Sequence, residues 1–134
     1  MVLETHPNAC IARMPLMYGT PDNGKGFMNA WIRNLKEGKT IGAFTDEYRT
    51  AVDGKTAARG LFLLLEKEVN GIWHLGGKER LSRYEFAIRM AKENNLDASL
   101  INPVLQKDIK MAAARPADVS LDSSKAFGLS LIHI

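Results

Sequence analysis

The sequence has few groups that could bridge the chain covalently or hold a metal ion. Cys10 is the only cysteine among 134 residues, which excludes an internal disulfide and leads us to expect a reducing, cytoplasmic setting. His6, His74 and His133 lie far apart, without the paired spacing of metal ligands, so no metal site is predicted. No apolar run approaches the roughly 18 residues that cross a bilayer, and no membrane partner is expected.

Charge and catalytic motifs are equally sparse. The net charge of +3 and the pI near 9.1 are mild, and the basic residues are scattered, so no nucleic-acid partner is predicted. No serine lies in a G-x-S-x-G turn. None of Tyr18, Tyr48 and Tyr84 is followed by lysine four positions later, so a Tyr-Lys proton-transfer pair is absent. We therefore assign no catalytic residue.

A glycine-rich stretch, Gly19 to Gly26, has the spacing of a phosphate-binding loop. That chemistry needs serine or threonine after the lysine to hold Mg²⁺, and Gly26 stands there instead. Pro21 also removes a backbone N–H from a loop that would donate N–H groups to phosphate. Nucleotide hydrolysis is therefore disfavoured.

Apolar patterns predict strands that alternate with helices, which indicates an α/β fold. Cys10 to Tyr18 is typical of a central parallel strand buried on both faces, with Cys10 as a buried small residue. A helix with Ala57, Ala58, Leu61, Leu64 and Leu65 on its inner side is expected after residue 50. The remaining predicted elements are helices at 27–35, ending before Gly38, and 83–94, strands at 40–44, 72–75 and 100–104, and a last helix from about Asp122.

The most informative local pattern is Gly71 to Gly77 followed by Leu81 to Ala87. It predicts a strand, a glycine turn and a helix whose capping box is formed by Ser82 and Glu85. In a parallel sheet, a turn at the carboxyl end of a strand borders the ligand crevice. A well-made structural connection explains the same residues.

Two polar segments are candidates for ligand binding. Residues 45–50, ending in Arg49 and Thr50, place hydrogen-bonding groups and a guanidinium between a strand and a helix, where a sugar or phosphate could bind. A solvated loop held by its own Asp46 and Thr50 is an equally good interpretation. The same alternatives apply to Arg115 and the proline after it.

Several blocks occur in the order found in the carboxyl-terminal half of extended short-chain dehydrogenases/reductases. Together they resemble the dTDP-4-dehydrorhamnose reductase-like (RmlD-like) family of sugar-nucleotide-binding proteins. The blocks that carry this resemblance are residues 11–19, 44–50, 71–77, 81–87 and 114–122.

The resemblance implies an α/β fold: the carboxyl-terminal part of a Rossmann-type parallel sheet plus a small substrate-binding subdomain, over residues 1–128. An amino-terminal half, not in this sequence, would bind NAD or NADP and supply a Tyr-x-x-x-Lys pair. Residues 129–134 match the translation of a sequencing adapter, and we expect them to be a remnant of that adapter and not part of the protein's fold.

The resemblance also implies site residues. Met14, Pro15 and Leu16 match a strand beside the nicotinamide and are candidate cofactor contacts. The candidate substrate-binding residues are Asn29, which faces the substrate, Arg49 and Arg115, which lie near the phosphates, and Thr50 in the same loop. Ala51 stands where the family usually has proline.

Three hypotheses about function follow from this resemblance. The first is a fragment of an NAD(P)-dependent reductase or epimerase that acts on a nucleotide-activated sugar. The full-length parent of this fragment is expected to be able to form a homodimer. The second is a non-catalytic, NAD(P)-binding regulatory subunit, similar to the beta subunit of methionine adenosyltransferase. In the third, the isolated chain has no independent function and is poorly soluble or molten, because the strand at Cys10 to Tyr18 keeps an unpaired edge.

Overall fold

The computed structural model describes residues 1–19 and 24–129. Half of the loop that resembles a phosphate-binding loop, residues 20–23, lies outside the described residues, as do residues 130–134 of the adapter-like end. The chain forms two compact units. The first contains Met1–Met17, Thr50–Glu79 and the stretch that begins at Ser120, and the second contains Tyr18–Arg49 and Arg80–Val119.

Strands and helices alternate along much of the chain, as the apolar pattern predicts. In chain order the elements are α1 (Val2–Thr5), β1 (Cys10–Arg13), β2 (Met17–Tyr18), α2 (Phe27–Lys36), β3 (Ile41–Phe44), β4 (Tyr48–Arg49), β5 (Val52–Asp53), α3 (Gly54–Glu66), β6 (Gly71–His74), β7 (Leu81–Ser82), α4 (Arg83–Glu93), β8 (Ile101–Val104) and α5 (Ser124–Gly128). Short 3₁₀ helices lie at Ala98–Leu100 and Gln106–Asp108.

The first unit is built on a parallel strand pair. β1 pairs with β6 in a register that sets Cys10 opposite Gly71, and α5 packs on β6. Its buried cluster consists of Leu64, Trp73, Leu75 and Ala126. The indole N–H of Trp73 donates to the carbonyl oxygen of Asn70 at 2.8 Å, which satisfies the one polar atom of this buried ring.

The continuous strand predicted over Cys10 to Tyr18 is wrong. β1 ends at Arg13 and β2 starts at Met17, because Pro15 has no N–H to continue a ladder. The expected burial on both faces is wrong as well. Cys10 is exposed, since β1 is paired only with β6 in the part of the chain that the structure describes.

The inner face of α3 also differs from the prediction. Ala57 and Leu64 are buried as expected, but Gly60 completes the buried stripe. Leu61 and Leu65 are exposed, and Ala58 is too. The apolar residues of this helix cover two neighbouring stripes, and only one of them contacts the core of the first unit.

The second unit contains the larger core. β3 pairs in parallel with β8, and α2 and α4 pack on this pair. The buried residues are Leu35, Ile41, Ala43, Ala87, Met90, Ala91 and Ile101. Gly38, with a φ of +71°, ends α2 in a Schellman motif, in which its N–H donates to Leu35 and that of Lys39 donates to Asn34.

The predicted capping box at the start of α4 is confirmed. The N–H of Glu85 donates to Ser82 Oγ at 3.1 Å, and the N–H of Ser82 donates to Glu85 Oε2 at 2.7 Å. These bonds hold the pKa of Glu85 below its usual value, the backbone N–H of Ser82 being the main cause. The cap therefore ties the start of the helix to the charge of Glu85.

Replacing Ser82 by alanine is expected to lower the free energy of unfolding by about 1 kcal/mol at neutral pH, the usual effect of losing an N-cap. Because the folded-state pKa of Glu85 is lowered, the stabilisation from its charge is present above the unfolded-state pKa and is lost as the pH falls through the folded-state pKa. Urea unfolding across acidic pH checks both points. In a Ser124→Ala control the free energy of unfolding should change by no more than about 0.5 kcal/mol, because Ser124 is exposed. An equal loss in both variants would contradict the capping role of Ser82.

Candidate functional site

A buried carboxylate organises the loop between β3 and β4. The side chain of Glu47 is fully buried. Arg115 binds it through two atoms, Nε at 2.9 Å from Oε1 and Nη2 at 3.2 Å from Oε2, while Gln106 Nε2 donates to Oε1 at 3.1 Å. This bidentate arrangement is the strongest geometry between a guanidinium and a carboxylate.

Arg49 is close to the same carboxylate, but it donates its hydrogen bonds to backbone carbonyl oxygens. Its Nη2 is 3.6 Å from Glu47 Oε2, and its Nη1 donates to the carbonyl oxygen of Tyr48 at 2.7 Å and to that of Ala117 at 3.5 Å. The side chain of Arg49 is 12% exposed, whereas that of Arg115 is 49% exposed. Arg115 is therefore the more accessible of the two guanidinium groups.

A third arginine, Arg83, follows the N-cap of α4 in the same unit. Its backbone N–H donates to the carbonyl oxygen of Glu47 at 2.9 Å. Its guanidinium carbon lies 4.2 Å from the ring centre of Phe27 and 4.8 Å from that of Trp31, so the cation stacks on two rings of α2. Burial lowers the pKa of Arg83 to about 10; the charge of Glu47 opposes this shift, and those of Arg49 and Arg115 add to it.

Asp46 and Thr50 fix the two ends of the loop, and each does so by a hydrogen bond to a later segment of the chain. Asp46 accepts the backbone N–H of Gln106 at 3.1 Å. In the first unit, Thr50 Oγ1 accepts the N–H of Leu121 at 3.1 Å. The interpretation in which these residues fix the loop is thus partly right, although the partners are long-range and the side chain of Thr50 is buried.

The predicted site residues fall into both units. In the first, Met14, Pro15 and Leu16 follow β1, and the carbonyl oxygen of Leu16 accepts the N–H of Val52 at 3.0 Å, which joins this segment to the chain after Thr50. In the second, Arg49 and Arg115 meet at Glu47. Asn29 lies on α2 and donates to the carbonyl oxygen of Lys25 at 3.1 Å, separate from that contact.

The glycine turn after β6 is tightly packed within the first unit. The N–H of Gly76 donates to Ser123 Oγ at 2.7 Å, and that of Gly77 donates to the carbonyl oxygen of Thr50 at 2.9 Å. A Cβ at Gly77 would lie 2.3 Å from the carbonyl oxygen of Ala51. Both positions therefore need glycine because neighbouring chain segments approach closely.

His74 behaves as a strand residue with partners for its ring. Its Nδ1 lies 3.1 Å from the carbonyl oxygen of Asp122, and its Nε2 lies 3.5 Å from Arg13 Nη1. Within residues 1–19 and 24–129, no group of three histidine, cysteine, aspartate or glutamate side chains is arranged to hold a metal ion. None of the helices described there has the length and apolar character of a membrane span.

Sequence reasoning missed the roles of Glu47, Gln106 and Arg83. Glu47 and Arg115 are 68 residues apart, and no periodicity joins them. The spacing of Phe27 and Trp31 on one face of α2 was a usable signal for a stacked cation, since residues four apart share a helix face.

The parallel strand pairs with their packed helices define an α/β protein. The family model of the RmlD substrate binding domain matches residues 1–134, and the chain belongs to that family.

Two curated relatives illustrate the range of the family. The chain is 27% identical over 130 residues to a probable low-salt glycan biosynthesis reductase of Haloferax volcanii, covering 95% of this chain and 43% of the relative. It is also 27% identical over 131 residues to the methionine adenosyltransferase 2 subunit beta of Pongo abelii, covering 92% of this chain and 39% of the relative. The chain thus spans about two fifths of the length of these proteins.

Solved structures agree on the fold. A hypothetical dTDP-4-dehydrorhamnose reductase from Sulfolobus tokodaii has 34% identity and a TM-score of 0.77, with 91% of this chain and 42% of that chain covered. The dTDP-4-dehydrorhamnose reductase of Bacillus anthracis, solved in complex with NADP, has 23% identity and a TM-score of 0.80, with 92% and 42% covered. The expected fold class is therefore confirmed.

Proposed function

We propose that this chain is the substrate-binding part of an NAD(P)-dependent reductase or epimerase that acts on a nucleotide-activated sugar. The observation that carries the proposal is Arg115, which Glu47 holds in a fixed orientation while 49% of its side chain stays exposed. A guanidinium oriented in this way is prepared for an anionic ligand, and its planar fork matches a phosphate group. The family to which the chain belongs supports the same ligand class.

In this proposal the residues of the second unit bind and orient the substrate. Arg115 contacts a phosphate of the nucleotide sugar, Arg49 stabilises the loop and adds positive charge, and Asn29 contributes an amide. Thr50 and the segment Met14, Pro15 and Leu16 belong to the first unit, where the latter would contact the nicotinamide.

The cofactor, NAD or NADP, would be bound mainly by a preceding Rossmann half and would supply the hydride. The structural neighbour that contains NADP supports this cofactor class. The chain's own side chains would bind and orient the substrate and would exclude water from it. A cytoplasmic location and a homodimer of the longer protein stay predictions.

Arg115→Lys tests the proposed contact. Lysine keeps the charge but loses the two-point geometry, so we expect affinity for dTDP or UDP to fall about tenfold, the effect of losing one hydrogen bond to a charged group. Isothermal titration calorimetry measures this, with Arg33→Lys as the matched control, because Arg33 is exposed on α2. Unchanged affinity in Arg115→Lys would contradict the role of Arg115, and failure of the unmodified chain to bind either diphosphate would contradict the proposed function.

A regulatory function is the second candidate. The similarity to the methionine adenosyltransferase 2 subunit beta equals that to the glycan biosynthesis reductase, 27% identity in both. The two candidate functions make different predictions about the sequence and the activity of the longer protein. An intact Tyr-x-x-x-Lys pair and oxidation of NADPH with a 4-keto sugar nucleotide favour the enzyme, whereas a degraded pair without turnover favours the regulatory subunit.

A further inference from the structure

The guanidinium group of Arg83 is incompletely hydrogen-bonded. Its Nη1 is shielded from solvent, and no acceptor for it occurs in residues 1–19 and 24–129. Arg49 and Arg115, by contrast, donate to backbone carbonyl oxygens or to Glu47. A buried donor on a charged group without an acceptor is unfavourable, and such a group in a folded protein calls for a specific explanation.

The surroundings of Arg83 carry more positive charge than negative. Arg49, Arg83 and Arg115 interact electrostatically around one carboxylate, that of Glu47. The oxygens of Glu47 already accept from Arg115 and Gln106. The neighbouring carboxylate of Asp46 accepts the backbone N–H of Gln106. The excess of guanidinium groups therefore favours an anion from outside the chain.

We propose that Arg83 is a further ligand-binding residue of the second unit, whose Nη1 donates to an oxygen of a phosphate or diphosphate group. The identity of that group as part of a nucleotide sugar rests on the proposed function above. The stacking of Arg83 on Phe27 and Trp31 keeps its guanidinium plane in place, and a preorganised guanidinium loses little conformational entropy when it binds a phosphate.

Access to Nη1 requires a local rearrangement. Because the atom is shielded from solvent, a phosphate oxygen reaches it only after a local shift of the surrounding side chains. Phe27 and Trp31, both half-buried on α2, stack on the same guanidinium. Trp31 is thus a natural reporter of binding. Trp73 is the internal reference, because it lies in the first unit and its indole N–H donates to the carbonyl oxygen of Asn70.

The experiment is a titration of the ¹⁵N-labelled 134-residue chain with inorganic pyrophosphate and, separately, with dTDP. We expect a saturable shift of the Trp31 indole N–H signal, with that of Trp73 unchanged. Arg83→Gln should weaken binding about tenfold, the effect of one hydrogen bond to a charged group. The matched control is Arg80→Gln, because Arg80 also stacks on a ring, that of Tyr48 at 3.7 Å, but already donates to Asp118 at 2.9 Å; its affinity should not change.

The outcomes separate this proposal from the proposed function. Equal affinity in the unmodified chain and in Arg83→Gln would overturn the role of Arg83, while binding of dTDP would still support the function. Pyrophosphate binding that depends on Arg83, without any response to dTDP, would support the role of Arg83 and contradict the nucleotide-sugar function. If Arg83→Gln does not fold, Arg83→Lys replaces it, and unweakened binding in that variant overturns the proposal.

Discussion

Replacing Gly77 by alanine is expected to lower the free energy of unfolding by about 3 kcal/mol or more, at the upper end of the range for overpacking. The added Cβ would lie 2.3 Å from the carbonyl oxygen of Ala51, which is backbone and cannot rotate away. Relief would require the two segments to separate and would weaken the 2.9 Å hydrogen bond from Gly77 to Thr50. Urea unfolding followed by circular dichroism measures the loss.

Gly128→Ala is the matched control for this prediction. Gly128 lies in the same unit, at the end of α5, and a Cβ there would meet no atom of residues 1–19 and 24–129 within 4 Å. Alanine should therefore be neutral or stabilise by about 0.5 to 1 kcal/mol, because it restricts the unfolded chain. A loss below about 1 kcal/mol in Gly77→Ala would show that the turn adjusts easily and that the close approach is not a constraint.

The second large effect is expected for Glu47→Ala. The variant leaves Arg115, Arg49 and Gln106 without their common acceptor, and breaking a buried ion pair usually costs about 3 to 5 kcal/mol. We expect about 3 kcal/mol, the lower end, because Arg115 is half-exposed and regains water when Glu47 is lost. The measurement is the free energy of unfolding at two salt concentrations, since a buried pair is screened less than an exposed one.

An exposed ion pair provides the comparison. Glu37 pairs with Lys39 at side-chain exposures of 46% and 65%, and Glu37→Ala should cost far less than Glu47→Ala, because exposed ion pairs contribute little to stability. Glu47→Gln retains an acceptor oxygen and should fall between the two. If Glu47→Ala were no worse than Glu37→Ala, the carboxylate would not be the organising element of the loop.

Local patterns predicted the helices and several of the strands well. Ser82 and Glu85 specify the start of α4 through neighbouring side chains, and Gly38 specifies the end of α2 through its backbone freedom. These features depend on a few adjacent residues, so a local pattern is enough to predict them.

The failures arose where distant segments decide the outcome. Cys10 has the apolar neighbours of a buried residue, yet its exposure depends on which strands lie beside β1. The stripe of α3 that is buried depends on what packs against it, and apolar periodicity identified a wider face than the first unit covers. The partners of Glu47 come from residues 106 and 115, which no local pattern connects to the loop.

The long-range contacts bear on the order in which the chain acquires its structure during synthesis. Thr50 is joined to Leu121 across 71 residues, and Gly76 to Ser123 across 47. Contacts with such separations form late, because a large loop must close before they contribute. The first unit therefore cannot complete its hydrogen bonding until residue 123 has left the ribosome. The strands leave earlier, but the glycine turn can become rigid only after residue 123 has emerged.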